Sequence, residues 1–219
     1  MPLVMIDLDD TLVQRAPLVR SWLTSYVAEQ GHDEQRAAAL VEALVEADGG
    51  GHRPREEFVA RASEHVGTAF SLDDFRDGTD GAYRLTPGVR SRLEALRAAG
   101  WRVAVVTNGP VETQSVKVEA TGLADLVDAV VISGEVGVHK PDPQVFRTAA
   151  ERADASLEGA WMVGDNLDAD VQGAHGVGAR AIWVRPREDW LSFDYAGEPD
   201  VVVDDVDAAL DVLLERGNR

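Results

Sequence analysis

The sequence predicts an α/β fold: a doubly wound parallel sheet, interrupted after its first strand by an all-helical insert. Three observations carry that expectation. The chain opens on a short, branched apolar run, Leu3 to Leu8, which suits a strand buried on both faces of a parallel sheet. From Thr86 onward helical and strand-like segments alternate, the pattern of right-handed crossovers in such a sheet. Between the two, residues 14–85 show helical periodicity and no strand-like alternation. The expected division is a core of residues 1–13 and 86–219 around a helical block of residues 14–85, too large for a loop.

Within the helical block, Pro17 opens a segment with Leu18, Trp22, Leu23, Tyr26 and Val27 on one side, stopped at Gly31. A second helix runs from about Asp33 to Ala47 and breaks at Gly49-Gly50-Gly51. A third covers Arg55 to Val66, and a fourth follows Ser71, which has the chemistry of an N-cap, toward Tyr83. In the second part, Thr86-Pro87 reads as an N-cap with proline at the first helical position, and Gly100 ends that helix. Strands are expected at Arg102 to Thr107, Ala129 to Ser133, Ala160 to Gly164, Arg180 to Val184 and Val201 to Val203. Helices are expected at Val111 to Thr121, Pro143 to Ala153, near Asp168 to His175, and at Val206 to Arg216, with Gly217 to Arg219 a frayed tail.

Composition narrows the function classes. With 219 residues there is ample material for a core, and 45% apolar with 27% charged residues is ordinary for a globular protein. No cysteine is present, which excludes disulfides, thiolate metal sites and thiol redox chemistry. A basic leader with a long apolar stretch is missing and no run approaches membrane-spanning length, so a soluble, cytoplasmic protein is expected. The net charge of −18 argues against nucleic acid and anionic membranes as partners. An anionic small molecule would have to be drawn in by local cations against that field.

The polar residues at strand ends are the informative ones. Asp7 and Asp9 end the first strand, Thr107 and Asn108 the second, and Asp165 a later one, while Lys140 precedes a helix. If the strands are parallel, all lie at one edge of the sheet, where such folds bind ligands. Asp7 and Asp9 alone could be an acidic turn. Crowded carboxylates repel, however, and a hard divalent cation relieves that repulsion, with carboxylate oxygen the donor magnesium prefers.

This set of motifs resembles the haloacid dehalogenase superfamily, in its phosphatase branch. Asp7-Leu8-Asp9-Asp10-Thr11-Leu12, Thr107-Asn108-Gly109, Lys140-Pro141, and Gly164-Asp165 with Asp170 match the family's four motifs in order. A helical cap inserted after the first strand of a Rossmann-like core is also a family trait, so the resemblance covers nearly the whole chain. Asp10 departs from it, since many members carry glycine there; it is read as structural, a turn or solvated acid. The resemblance implies a magnesium-dependent phosphomonoesterase for a small phosphorylated metabolite. Asp7 is the implied nucleophile, and Asp9 the implied general acid and then base. Asp7, Asp165 and the backbone carbonyl of Asp9 would hold Mg2+. Thr107, Asn108 and neighbouring backbone N–H groups would bind phosphoryl oxygens, and Lys140 would offset the nucleophile's charge. Asp170 either orients Lys140 or a metal-bound water, or joins the metal; Asp168 is read as a helix cap.

Alternatives stay open at this point. A phosphomutase of the same superfamily would use the same residues and return the phosphoryl group to substrate. A haloacid dehalogenase would leave Asp9 idle and need no magnesium. A receiver-like signalling domain shares the residue types but not the length or the insert, and a silent binding module would be expected to have lost an acid. Arg15 is a secondary candidate for a phosphate contact, and the Gly49-to-Arg55 break with His52, Arg53 and Arg55 either faces substrate or, the favoured reading, is an ordinary exposed turn. His139 and His175 are read as packed or solvated, and Trp183, Trp190 and Phe193 as packing for the late strands. Oligomeric state is not legible.

Overall fold

A computed structural model describes residues 1–51, 53–185 and 197–217; His52, Trp190 and Phe193 lie outside the described residues. In chain order the elements are β1 (Leu3–Ile6), α1 (Arg15–Ala28), α2 (Glu34–Asp48), α3 (Arg55–Val66), α4 (Leu72–Thr79) and α5 (Val89–Ala98). There follow β2 (Arg102–Thr107), α6 (Val111–Thr121), β3 (Ala129–Ile132), α7 (Ser133–Val136), α8 (Pro143–Arg152) and β4 (Trp161–Gly164). A π-helical turn, Leu167–Gln172, leads into α9 (Gly173–Gly176), then β5 (Arg180–Val184), β6 (Val201–Val203) and α10 (Val206–Gly217).

Among the described residues the strands form one parallel sheet in the order β3-β2-β1-β4-β5-β6. The order reverses direction at β1, so the crevice at the carboxyl end of β1 is the switch point of the doubly wound sheet. Every residue of β1 is fully buried, as a strand covered on both faces requires. One face packs Met5, Ala104, Met162 and Ala181 against Val145, Phe146 and Ala149 of α8.

The chain divides into two compact units, Met1–Gln14 with Arg84–Arg219, and Arg15–Tyr83. Within the first unit the exit and return are stapled together: Val13 bridges Leu85, and the Thr86 backbone N–H donates to the Leu12 carbonyl at 3.0 Å. Thr86 is therefore spent on this junction and caps no helix. Gly88 stands at the start of α5 instead, with φ at 90°, a conformation that favours glycine.

The second unit, α1 to α4, has its own core of Leu23, Leu44, Phe58, Phe70 and Phe75. Phe58, Phe70 and Phe75 meet with centroids 5.2 to 6.3 Å apart, and Trp22 stacks on Tyr26 at 5.2 Å. Ser71 caps α4, accepting from the Asp74 N–H, and Asp33 caps α2. Arg15 lies in this unit with its guanidinium buried on Asp48, at 2.7 and 2.8 Å. Arg55 adds a contact to Asp48 at 3.3 Å, and Arg53 pairs with Glu57.

Candidate active site

The site is built from the carboxyl ends of β1, β2 and β4. β1 stops at Ile6, and the Asp7 N–H donates to the Val163 carbonyl at 2.9 Å, so the last ladder bond fixes Asp7 beside β4. The chain then curls through Asp10, whose φ of 56° is left-handed, as its reading as a turn residue requires. Asp165 follows β4 directly. Asn166 caps the turn beyond it, accepting from the Asp168 and Ala169 N–H groups, so the cap is Asn166 and not Asp168.

Lys140 is the centre of the charge arrangement. Its buried ammonium donates to Asp7 at 2.6 Å, to Asp170 at 2.7 Å and to the Val106 carbonyl at 2.8 Å. The other Asp170 oxygen accepts from the Asn166 N–H at 3.1 Å, so both oxygens of this buried acid are engaged. The geometry favours Asp170 as the residue that orients Lys140. Burial opposes the charge on Lys140, but Asp170 and then Asp7 more than restore it and hold the amine above its ordinary range.

The carboxylates tell the opposite story. Burial, opposed by Lys140 and aided by the Asp170 charge, pushes Asp7 up to about 7. Asp165 is raised well above the usual range by burial, then by Asp7 and Asp170. One oxygen from each of Asp7, Asp165 and Asp170 lies within 4.8 Å of the others. Ionised, these three acids and Lys140 would carry two net negative charges, which a divalent cation cancels. Carboxylate oxygens suit a hard ion, so the donor set fits magnesium.

Asp9 points elsewhere. Lys117 of α6 donates to both its oxygens, at 2.7 and 2.5 Å, and Gln114 of the same helix donates to one at 3.0 Å. The Gln114 amide also donates to the Thr107 hydroxyl at 2.5 Å and to the Asn108 carbonyl at 3.0 Å. Because Thr107 accepts this bond, its own proton is left to donate to a ligand oxygen. Asn108 is differently employed: its carboxamide donates to the Lys140 carbonyl and accepts from the Lys140 N–H, at 3.1 and 2.8 Å. It holds the lysine loop. The Gly109 N–H is likewise taken, by Ser133 at 2.9 Å, and Ser133 also meets His139 at 2.8 Å. His175 pairs with Asp200, and Trp183 donates its indole N–H to the Asp165 carbonyl at 2.8 Å.

Lys117 and Gln114 are site residues that the motif reading passes over. Two signals in the sequence point to them. They fall three apart on the inward stripe of α6, with Val118 and Thr121, where polar residues need a reason. And the chain contains only two lysines, Lys117 and Lys140, against 19 arginines. Lys140 is buried on Asp7 and Lys117 on Asp9, both acids of the opening motif.

Known proteins bear out the fold and the family. The family model for haloacid dehalogenase-like hydrolases matches residues 1–178. A phosphoserine phosphatase of Thermus thermophilus is 34% identical over 84% of this chain and 88% of its own. A phosphoglycolate phosphatase of Nitrosospira multiformis is 30% identical over 97% and 92% of the two chains. The crystal structure of a HAD phosphatase from Thermococcus onnurineus superposes with a TM-score of 0.67, covering 97% and 98% of the two chains at 24% identity. The chain belongs to the haloacid dehalogenase-like hydrolases, in their phosphatase branch.

Proposed function

We propose that the protein is a magnesium-dependent phosphomonoesterase acting on a small phosphorylated metabolite through an aspartyl-phosphate at Asp7. The observation that supports this reading best is the separation of the two opening acids. Asp7 sits among Lys140, Asp165 and Asp170, while Asp9 is drawn away onto Lys117. Two carboxylates two residues apart thus have different surroundings, as a nucleophile and an acid–base group require.

A carboxylate oxygen of Asp7 attacks phosphorus while Lys140 offsets the nucleophile's charge. Asp9 gives its proton to the departing alkoxide and then takes one from the water that cleaves the acyl phosphate. Thr107 donates to a phosphoryl oxygen, and Asn108 acts on the site through the Lys140 loop it fixes. Asp7, Asp165 and the Asp9 carbonyl would hold Mg2+, which supplies charge neutralisation between carboxylate and phosphoryl group. The helical unit is assigned the choice among substrates.

The test is hydrolysis of 4-nitrophenyl phosphate with magnesium, with EDTA, and by Asp7→Asn. Activity should disappear in EDTA and return with magnesium, and Asp7→Asn should be inactive throughout. Full activity in the chelator would overturn the magnesium assignment. A panel of sugar, nucleotide and acid phosphates then ranks substrates.

A further inference from the structure

We propose that Lys117 is a positioning residue for Asp9, acting on the reaction through that carboxylate; the inference rests on the acid–base role proposed for Asp9. Lys117 reaches the site from the second turn of α6, with its side chain only 2% exposed. A buried ammonium demands a counter-charge, and both Asp9 oxygens supply it, at 2.7 and 2.5 Å. Gln114, one turn earlier, adds a third bond to the same carboxylate. One rigid helix therefore sets the Asp9 side chain, although Asp9 itself sits on a loop.

This placement has two chemical consequences. Among the described residues, the acids close enough to share an ion are Asp7, Asp165 and Asp170, and the Asp9 side chain is not with them. Lys117 holds it out of that cluster and keeps it for proton transfer. The carboxylate is also held in one orientation, and an acid–base group must meet its proton within hydrogen-bond reach. The proton balance is simple. Paired with the ammonium, Asp9 rests as the carboxylate; it takes a proton from solvent, gives it to the leaving oxygen, takes one from the attacking water and returns that to solvent, while the Lys117 ammonium keeps its own throughout.

Lysine usage in the chain points the same way. Arginine serves at 19 basic positions and lysine at two, each buried against an acid of the opening motif.

A double-mutant cycle tests the assignment with four proteins: wild type, Lys117→Met, Asp9→Asn and the double variant. Each is assayed with magnesium on an alkyl phosphate and on 4-nitrophenyl phosphate, with folding checked by thermal melts. Lys117→Met should lower kcat on the alkyl phosphate about 10- to 100-fold, with a smaller change in KM. Its loss in the phenolate burst from the activated ester should be several-fold smaller. In the Asp9→Asn background the same substitution should cost less than about 2-fold, because its target is already gone. Losses that multiply across the cycle, or fall equally on both substrates, would overturn the assignment. If Lys117→Met does not fold, Lys117→Gln enters the same cycle with the same expectations. A wild type inactive on both esters would remove the hydrolase reading itself, whereas an active wild type with an additive cycle removes only the role of Lys117.

Discussion

At the scale of single residues, Asp7 and Asp9 differ in surroundings more than in sequence. Asp7 is buried among like charges, and Asp9 is a quarter exposed on a lysine. Their amide variants should therefore fail differently. On the proposed mechanism, Asp7→Asn removes the nucleophilic carboxylate, so no phosphoenzyme should form. Asp9→Asn keeps its backbone carbonyl and leaves Asp7 able to attack an ester whose leaving group needs no proton. General acid–base catalysis is worth about 100- to 10,000-fold, so Asp9→Asn should lose that much on an alkyl phosphate. On 4-nitrophenyl phosphate it should give a burst of phenolate and a stalled enzyme phosphorylated at Asp7. Rapid-quench kinetics and mass spectrometry read both; no burst and no label would contradict the assigned roles. That Asp7, Lys140, Asp165 and Asp170 lie together was legible from their places at strand ends and in the motifs. The task of Asn108 was not, because a carboxamide suits a ligand and a loop equally well and only the fold decides.

At the scale of elements, strands were the most legible: Arg102 to Thr107 and Arg180 to Val184 are where the sequence puts them. Parallel strands buried on both faces leave unbroken apolar runs with sharp ends. The π-helical turn after Asn166 was not legible, since apolar periodicity over six residues cannot distinguish its wider turn from an ordinary helix. The start of α5 was misread because Thr86 has cap chemistry but is spent on Leu12. Nor does the sequence show that Arg15 and Asp48, 33 residues apart, join α1 to α2. Burial works against the Asp48 charge, but Arg15 and then Arg55 outweigh it and leave the acid below its usual range. An acid depressed in the folded state contributes stability that is complete above its unfolded value, near 3.8, and is lost as pH falls through the folded one. Asp48→Asn leaves Arg15 buried without its counter-charge and should cost about 3–5 kcal/mol at pH 7. The gap in Tm between the variant and wild type should narrow as pH falls below about 4, where Asp48 of the unfolded chain takes up its proton, and close once the folded Asp48 does so at lower pH. A gap independent of pH would show that packing, not charge, holds the two helices together.

At the scale of the whole molecule, charge sets a condition that no single residue reveals. Among the described residues no helix is long and apolar enough to cross a membrane. The formal charge is −18 at pH 7, from 39 acidic and 21 basic side chains. On the proposed function, a phosphate ester approaching such a protein would meet repulsion at long range and attraction near Lys140 and the cation proposed beside Asp7 and Asp165. Salt weakens the first more than the second, because the Debye length falls to about 10 Å at 0.1 M while buried pairs are screened much less. The expected dependence is therefore the reverse of an electrostatically steered enzyme. At saturating magnesium, raising sodium chloride from about 20 to about 200 mM should increase kcat/KM for a dianionic phosphate by about two-fold or more, with kcat nearly unchanged. A neutralised surface should remove the effect, so a variant with several exposed acids changed to glutamine or asparagine should start higher and respond less. Falling kcat/KM with salt would mean that local cations govern the approach from the outset, and that the acidic surface lies away from the path of the substrate.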